Sequence, residues 1–183
     1  MNEIRVYTAQ RMTGRYQDEM RAEADMLVRA IRNYGFIALN PVIEENIPLL
    51  HELLPPSPTE KLEAYWRRDK EMIREADVLL DYDTQNHSDG ANKEVGYSRW
   101  CLWKPTVRVW SGPGGAISQI EDDIVVKTLP EAMSLITTKW GTYAQLAIWR
   151  KEMWGRCFHR WLGYQVDMNR RYGMTTRLEI GAL

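Results

Sequence analysis

The chain has 183 residues, 44% of them apolar and 27% charged, with a net charge of −1. This composition fits a soluble globular protein of about one domain by the prior of roughly 100–200 residues each, large enough to bury a core without staples. It excludes disordered, collagen-like and low-complexity chains, which lack the apolar surface that offsets chain entropy.

In chain order, Ile4-Arg5-Val6-Tyr7-Thr8-Ala9 is short and β-branched and predicts a first strand, followed by the polar loop Gln10 to Arg15. Met20, Ala24, Leu27, Val28 and Ile31 recur mostly at spacings of three and four and predict a helix. Asn33-Tyr34-Gly35 stops it, with Gly35 placed as the left-handed residue of the cap. Phe36 to Leu39 predicts a second strand, closed by Asn40-Pro41. Residues 43–59 contain enough leucine for a short helix, which Pro55-Pro56-Ser57-Pro58 breaks. Thr59 suits the N-cap of a helix running to about Glu75, and Ala76 to Leu80 enters a third strand. Asp81 to Gly90 has loop chemistry throughout. A helix through Glu94, Tyr97 and Cys101 follows and ends at Pro105. Thr106 to Trp110 and Ile124 to Val126 predict the fourth and fifth strands, and Leu129 to about Thr138 a closing helix.

Strands alternating with helices imply a parallel sheet covered on both faces. The expected fold is therefore α/β: a doubly wound five-stranded parallel sheet of Rossmann or flavodoxin type with a C-terminal helical extension. The domain boundary is expected at residues 1–138 and 139–183. From Lys139 onwards eight basic residues face three acidic ones, whereas the preceding part has 16 against 22. Four of the eight tryptophans, Trp140, Trp149, Trp154 and Trp161, lie in this basic tail. Basic residues with stacking aromatics suit single-stranded nucleic acid. Trp and Met at helical spacing read first as packing residues, so nucleic acid is not the expected partner.

No apolar run approaches the ~18 residues of a membrane span. The opening segment has no basic stretch followed by an apolar one, as a signal peptide would. Cys101 and Cys157 make neither a disulfide framework nor a metal-ligand spacing. A cytoplasmic protein is expected, with both thiols buried as small hydrophobes.

In a doubly wound sheet ligands sit beyond the carboxyl ends of the strands. The loops 10–15, 81–90 and 111–116 are expected to converge there. Ser88-Asp89-Gly90 opens a helix after a strand and places Glu94 in its early turns. Helix N-termini favour anions, so the same field favours an ionised Glu94. An ionised carboxylate facing a cleft can act as a nucleophile. The alternative is that Glu94 only completes the electrostatics of the helix end. Asp69, between Arg68 and Lys70, reads alone as a solvated ion pair. With Glu94 it could form the acid and nucleophile pair of a glycosidase. Asp81 and Asp83 are competing carboxylates that could bind ribose hydroxyls or only end the strand. Tyr7, near the end of the first strand, points either into the cleft or into the core. Arg11 and Arg15 flank Met12-Thr13-Gly14, a basic Gly-containing loop suited to phosphate. No P-loop, dinucleotide fingerprint, zinc site or Ser-His-Asp arrangement is present, and no cofactor is implied.

Tyr7-Thr8-Ala9-Gln10-Arg11-Met12-Thr13-Gly14, Trp66-Arg67-Arg68-Asp69 before Ala76-Asp77-Val78-Leu79-Leu80, and Ser88-Asp89-Gly90 leading to Glu94-Val95-Gly96-Tyr97 together resemble the nucleoside 2-deoxyribosyltransferase superfamily. The ordered set covers about residues 3–138. Its opening motif is also similar to small phage-borne members of unassigned function. The resemblance implies that Glu94 attacks C1′ of a (deoxy)ribose, that Asp69 assists as acid or orienting carboxylate, and that Tyr7 positions Glu94 and the sugar. Free-nucleoside transferases carry Asp where Ser88 stands here. A Ser there is similar to the 2′-deoxynucleoside 5′-monophosphate N-hydrolases, in which it helps to bind phosphate. Hydrolysis of a nucleoside 5′-monophosphate is thus the leading expectation, with Ser88, Asp89, Gly90, Arg11, Gly14 and Asp83 around the substrate. Base exchange between nucleosides and a non-catalytic nucleotide-binding module are the alternatives. The Ser-Ile-Arg-Gly loop of the hydrolases is replaced by Arg11-Met12-Thr13-Gly14, and Asp89 adds negative charge beside Ser88. The basic tail has no counterpart in the superfamily. Superfamily members are usually oligomers, so a homodimer is expected.

Overall fold

The computed structural model describes residues 3–12, 15–44, 58–82, 89–111 and 124–153. Its elements are β1 (Arg5–Gln10), α1 (Gln17–Asn33), β2 (Ile37–Leu39), α2 (Pro41–Glu44), α3 (Pro58–Glu75), β3 (Val78–Tyr82), α4 (Asp89–Gly96), a π-helical turn (Tyr97–Cys101), β4 (Thr106–Val109), β5 (Ile124–Val126) and α5 (Leu129–Trp140). A further helix, α6, covers residues 143–153. The five strands form one parallel sheet in the order β2-β1-β3-β4-β5. This is the flavodoxin-like order, in which the chain reverses its direction of winding between β1 and β3. The expected doubly wound parallel sheet with a helical extension is therefore the observed architecture.

Strand alternation divides the core into two layers. Val6, Val78, Leu80, Val107 and Val109 face one side, where Leu27 and Ile31 of α1 and Met133, Ile136 and Trp140 of α5 cover them. Tyr7, Ala9 and Leu79 face the other side, under Ile73 of α3 and Ala91 and Val95 of α4. Helix α6 reaches both layers. Leu146 belongs to the first, Met153 to the second, and Trp149 packs against each. No helix among the described residues is long and apolar enough to cross a membrane.

Local chemistry explains the helix ends. Gly35, at φ 80°, closes α1 as expected. Its amide donates to the Arg32 carbonyl and the Phe36 amide to the Ile31 carbonyl, the two bonds of a Schellman cap. Phe36 and Ile31 pack in the same core layer, supplying the apolar contact that accompanies this cap. Asn40 ends β2 and also starts α2. Its Oδ1 accepts from the Val42 and Ile43 amides, while its Nδ2 donates to Thr8 Oγ1 and Gln10 Oε1. At the start of α5, Thr128 Oγ1 accepts from the Glu131 amide and Glu131 reaches back to the Thr128 amide.

Four expectations need correction. Helix α3 begins at Pro58, so Thr59 lies within its first turn and is not its N-cap. Proline is pre-organised for the first helical position. Asp81 and Tyr82 lie in β3, paired with Ala9 and Gln10 of β1, and not in a loop. Sheet pairing on both sides overrides their turn-like composition. Cys101 is half-buried and packs at the edge of the second layer. Arg15 is drawn to Glu23 of α1 at 2.5 Å and so is not held for a phosphate. Cys157, Trp154 and Trp161 lie outside the described residues.

Candidate active site

The carboxyl ends of β1 and β3 flank the reversal point of the sheet, where such folds place ligands. Alternation puts Tyr7 of β1 and Asp81 of β3 on the same face, the one covered by α3 and α4. Helix α3 brings Asp69 to this face and α4 brings Glu94. Tyr7, Asp69, Asp81 and Glu94 are 0%, 4%, 1% and 5% exposed. Their electrostatic coupling shows one cluster: Asp69 and Asp81 both act on Glu94, and Glu94 and Asp69 both act on Tyr7.

Two of the three carboxylates have a guanidinium partner. Arg108 of β4 stands opposite Asp81 in the register, and its Nε donates to Asp81 Oδ2 at 2.6 Å. Arg68 donates from Nε at 3.1 Å and from Nη2 at 2.7 Å to Asp69 Oδ1. Among the described residues no ion pair reaches Glu94. Burial pushes its carboxyl well above the usual carboxylate range, and the charges of Asp69 and Asp81 push it further. The nearby Tyr7 hydroxyl and the positive charge of Arg68 oppose that rise. Burial also raises the Tyr7 phenol far above 10, with Glu94 and then Asp69 adding to the effect, so the hydroxyl stays a proton donor. It faces Glu94, yet Tyr7 Oη and Glu94 Oε2 are both left without a partner of ordinary hydrogen-bond geometry. Buried polar atoms left in this way call for a ligand or a solvent molecule.

The helix N-terminus does not dominate the electrostatics of Glu94. Glu94 sits beyond the first turn of α4, where the dipole has faded, and desolvation outweighs it. The reading of Asp69 as a solvated ion pair is overturned, because the residue is buried. Tyr7 satisfies both of its readings: its ring is in the core and its hydroxyl is at the carboxylate. Of the other expected site residues, Arg11 follows β1 directly and is half-buried. Asp89 begins α4, and Gly90 is exposed in its first turn. Gly14, Asp83 and Ser88 lie outside the described residues. Among the described residues no group of three or more His, Cys, Asp or Glu side chains could hold a metal ion.

Sequence reasoning passed over Arg68 and Arg108. Arg108 left a readable signal, since a charged residue inside Thr-Val-Arg-Val, a strand buried throughout, requires a buried partner. Asp81, at the matching depth of the preceding strand, was the available acid. Arg68 left none, because neighbouring Arg and Asp on a helix are as common on a solvated face.

Fold and site together define a flavodoxin-like α/β protein with a buried carboxylate at the switch point that forms no ion pair among the described residues. The chain belongs to the family described as Domain of unknown function (DUF4406), whose model matches residues 4–104 and so spans Tyr7, Asp69, Asp81 and Glu94. None of the curated proteins matches it. Among solved structures, the 2-deoxyribosyltransferase of the psychrotolerant bacterium Bacillus psychrosaccharolyticus is similar at a TM-score of 0.54 and 18% identity, covering 78% of this chain and 95% of that one. This is a likeness of fold. A CMP N-glycosidase from Clostridium botulinum aligns at a TM-score of 0.46 and 14% identity, over 73% of this chain and 98% of that one.

Proposed function

We propose that this protein breaks the N-glycosidic bond of a nucleoside or nucleotide with Glu94 as nucleophile and passes the sugar to a second base, the chemistry of a nucleoside 2-deoxyribosyltransferase. The observation that carries this reading is the Glu94 carboxylate itself: buried at the switch point, unpaired by any described cation, and faced by an un-ionised Tyr7 hydroxyl. A nucleophile needs a free, ionised oxygen, and a guanidinium clamped on it would lower its reactivity. Glu94 Oε2 attacks C1′ of the sugar. The C1′–N bond breaks, and its electron pair leaves with the base, which takes up a proton. The incoming base then attacks C1′ through its own ring nitrogen and gives up that nitrogen's proton. The ester bond breaks and the carboxylate is restored. Tyr7 donates to Glu94 and orients it, and Asp69 orients the sugar or the departing base. The likeness of fold to a 2-deoxyribosyltransferase, at a TM-score of 0.54, supports transfer over hydrolysis.

A second reading rests on Ser88. Its place in the sequence Ser-Asp-Gly, where free-nucleoside transferases carry Asp, favours hydrolysis of a (deoxy)nucleoside 5′-monophosphate with Ser88, Gly90 and Arg11 around the phosphate.

The test is chromatography of a panel of ribo- and deoxynucleosides and their 5′-monophosphates, each with and without an added free base, for wild type and Glu94→Gln. Formation of a new nucleoside only when base is added, lost in Glu94→Gln, is the expected result. Release of base from monophosphates regardless of acceptor favours hydrolysis. Binding without any bond cleavage overturns both and leaves a nucleotide-binding module.

A further inference from the structure

The charged and titratable groups facing Glu94 come from three elements. Tyr7 stands on β1. Asp81 stands on β3 and is held by Arg108 of β4. Asp69 and Arg68 stand on α3. On the π-helical turn that continues α4, Arg99 lies 5.1 Å over the Trp149 ring and 3.6 Å from Met153 Sδ. Arg74 likewise lies over the ring of Tyr97.

The two arginine–carboxylate pairs differ in kind. Asp81 and Arg108 have side chains only 1% and 3% exposed and are set opposite each other by the sheet register. The Arg68 side chain is 20% exposed, and its guanidinium lies 5.4 Å over the Tyr65 ring. Its Nε and Nη2 both donate to Asp69 Oδ1. Arg68 thus places a positive charge against Asp69 from the rim of the site without being part of the core. In a buried site, the charge of Asp69 acts strongly on a neighbouring carboxylate, and the Arg68 charge beside it weakens that effect.

We propose that Arg68 is a positioning residue for Glu94: its fork on Asp69 offsets that carboxylate's charge and so sets the pH range in which Glu94 can act as a nucleophile. The catalytic consequence rests on the function proposed above. The electrostatic part does not, because it can be read without turnover.

The experiment is a carboxyl-carbon NMR titration of the full chain labelled at Glu, with the Glu94 signal assigned by its loss in Glu94→Gln. Wild type is compared with Arg68→Met, Arg68→Lys and Asp69→Asn. The Glu94 midpoint is expected to rise by about one pH unit, tenfold in proton affinity, in Arg68→Met. It is expected to return most of the way in Arg68→Lys and to fall below wild type in Asp69→Asn. An unchanged midpoint in Arg68→Met overturns the inference. Should that variant not fold, an unchanged or raised midpoint in Asp69→Asn overturns it. The acid limb of the pH–activity profile is expected to move with the NMR midpoint. If the midpoints move as stated while no variant, wild type included, cleaves a glycosidic bond at any pH, the electrostatic inference stands and the proposed function fails.

Discussion

Glu94 is protonated more readily in the folded chain than in the unfolded one, because burial and two neighbouring carboxylates disfavour its charge. The native state therefore holds a proton that the unfolded chain releases above about 4.3. Its contribution to stability is full below that value and is lost as pH rises through the folded-state value. Glu94→Gln keeps the shape and removes the titration. Thermal melts are expected to give this variant a Tm equal to wild type near pH 4 and above it at pH 7, with the gap widening as pH rises, while turnover disappears. A Tm deficit at neutral pH would show that the carboxylate stabilises the fold. In wild type, activity is expected to rise with pH across a midpoint above the ordinary carboxylate range. Tyr7 and Glu94 were legible as candidates from the strand end and helix start they occupy, whereas Asp69, in mid-helix, became a candidate only beside Glu94 and through the family resemblance. Their protonation was not legible, since it depends on which charges four separate elements bring to one place.

Element ends show the same division. The Schellman cap at Gly35 and the capping box Thr128-Leu129-Pro130-Glu131 are local patterns, written within a few residues. Thr128→Ala is expected to cost about 1 kcal/mol, read as a lower midpoint in urea with an unchanged slope. The end of α3 is satisfied from a distance instead. Lys104, next to Pro105 at the entry to β4, donates from Nζ to the carbonyls of Ile73 at 2.8 Å, of Arg74 and of Ala76. All three ammonium donors are used, at the helix end where a cation is favoured. Burial lowers this amine to about 8, against the raising effect of Asp77 and Glu75. Lys104→Met leaves the three carbonyls without this donor and is expected to cost about 2–4 kcal/mol in chemical denaturation. A loss under about 0.5 kcal/mol, the size of an ordinary surface substitution, would show that solvent replaces the ammonium without penalty. Nothing in the sequence near Glu75 announces Lys104, because about thirty residues separate the helix end from its cap.

At the scale of the whole molecule, the segment after Thr138 is bound into the same core as the sheet. Trp140, Leu146 and Met153 are buried, and Trp149 stacks edge-on against Trp140 at 6.2 Å. Three such side chains contribute about 1.5–3 kcal/mol each on burial, a sum comparable with the ~5–15 kcal/mol of a whole domain. A chain ended at Thr138 is therefore expected to lose cooperative unfolding and to expose apolar surface, measured by calorimetry and dye binding. Retention of a sharp transition would mean that the sheet and α1 suffice. The sequence by itself determined the alternation of strands and helices, and hence the parallel sheet, because periodicity and caps are properties of neighbouring residues. It also nominated Glu94, Asp69 and Tyr7. Only the tertiary structure decided that Asp81 belongs to a buried pair with Arg108, that Lys104 caps α3, that Arg68 stands against Asp69 at the rim of the site, and that Glu94 carries a raised affinity for its proton. Each of these is a balance of desolvation against charges carried on other elements, and such a balance exists only once those elements are packed together.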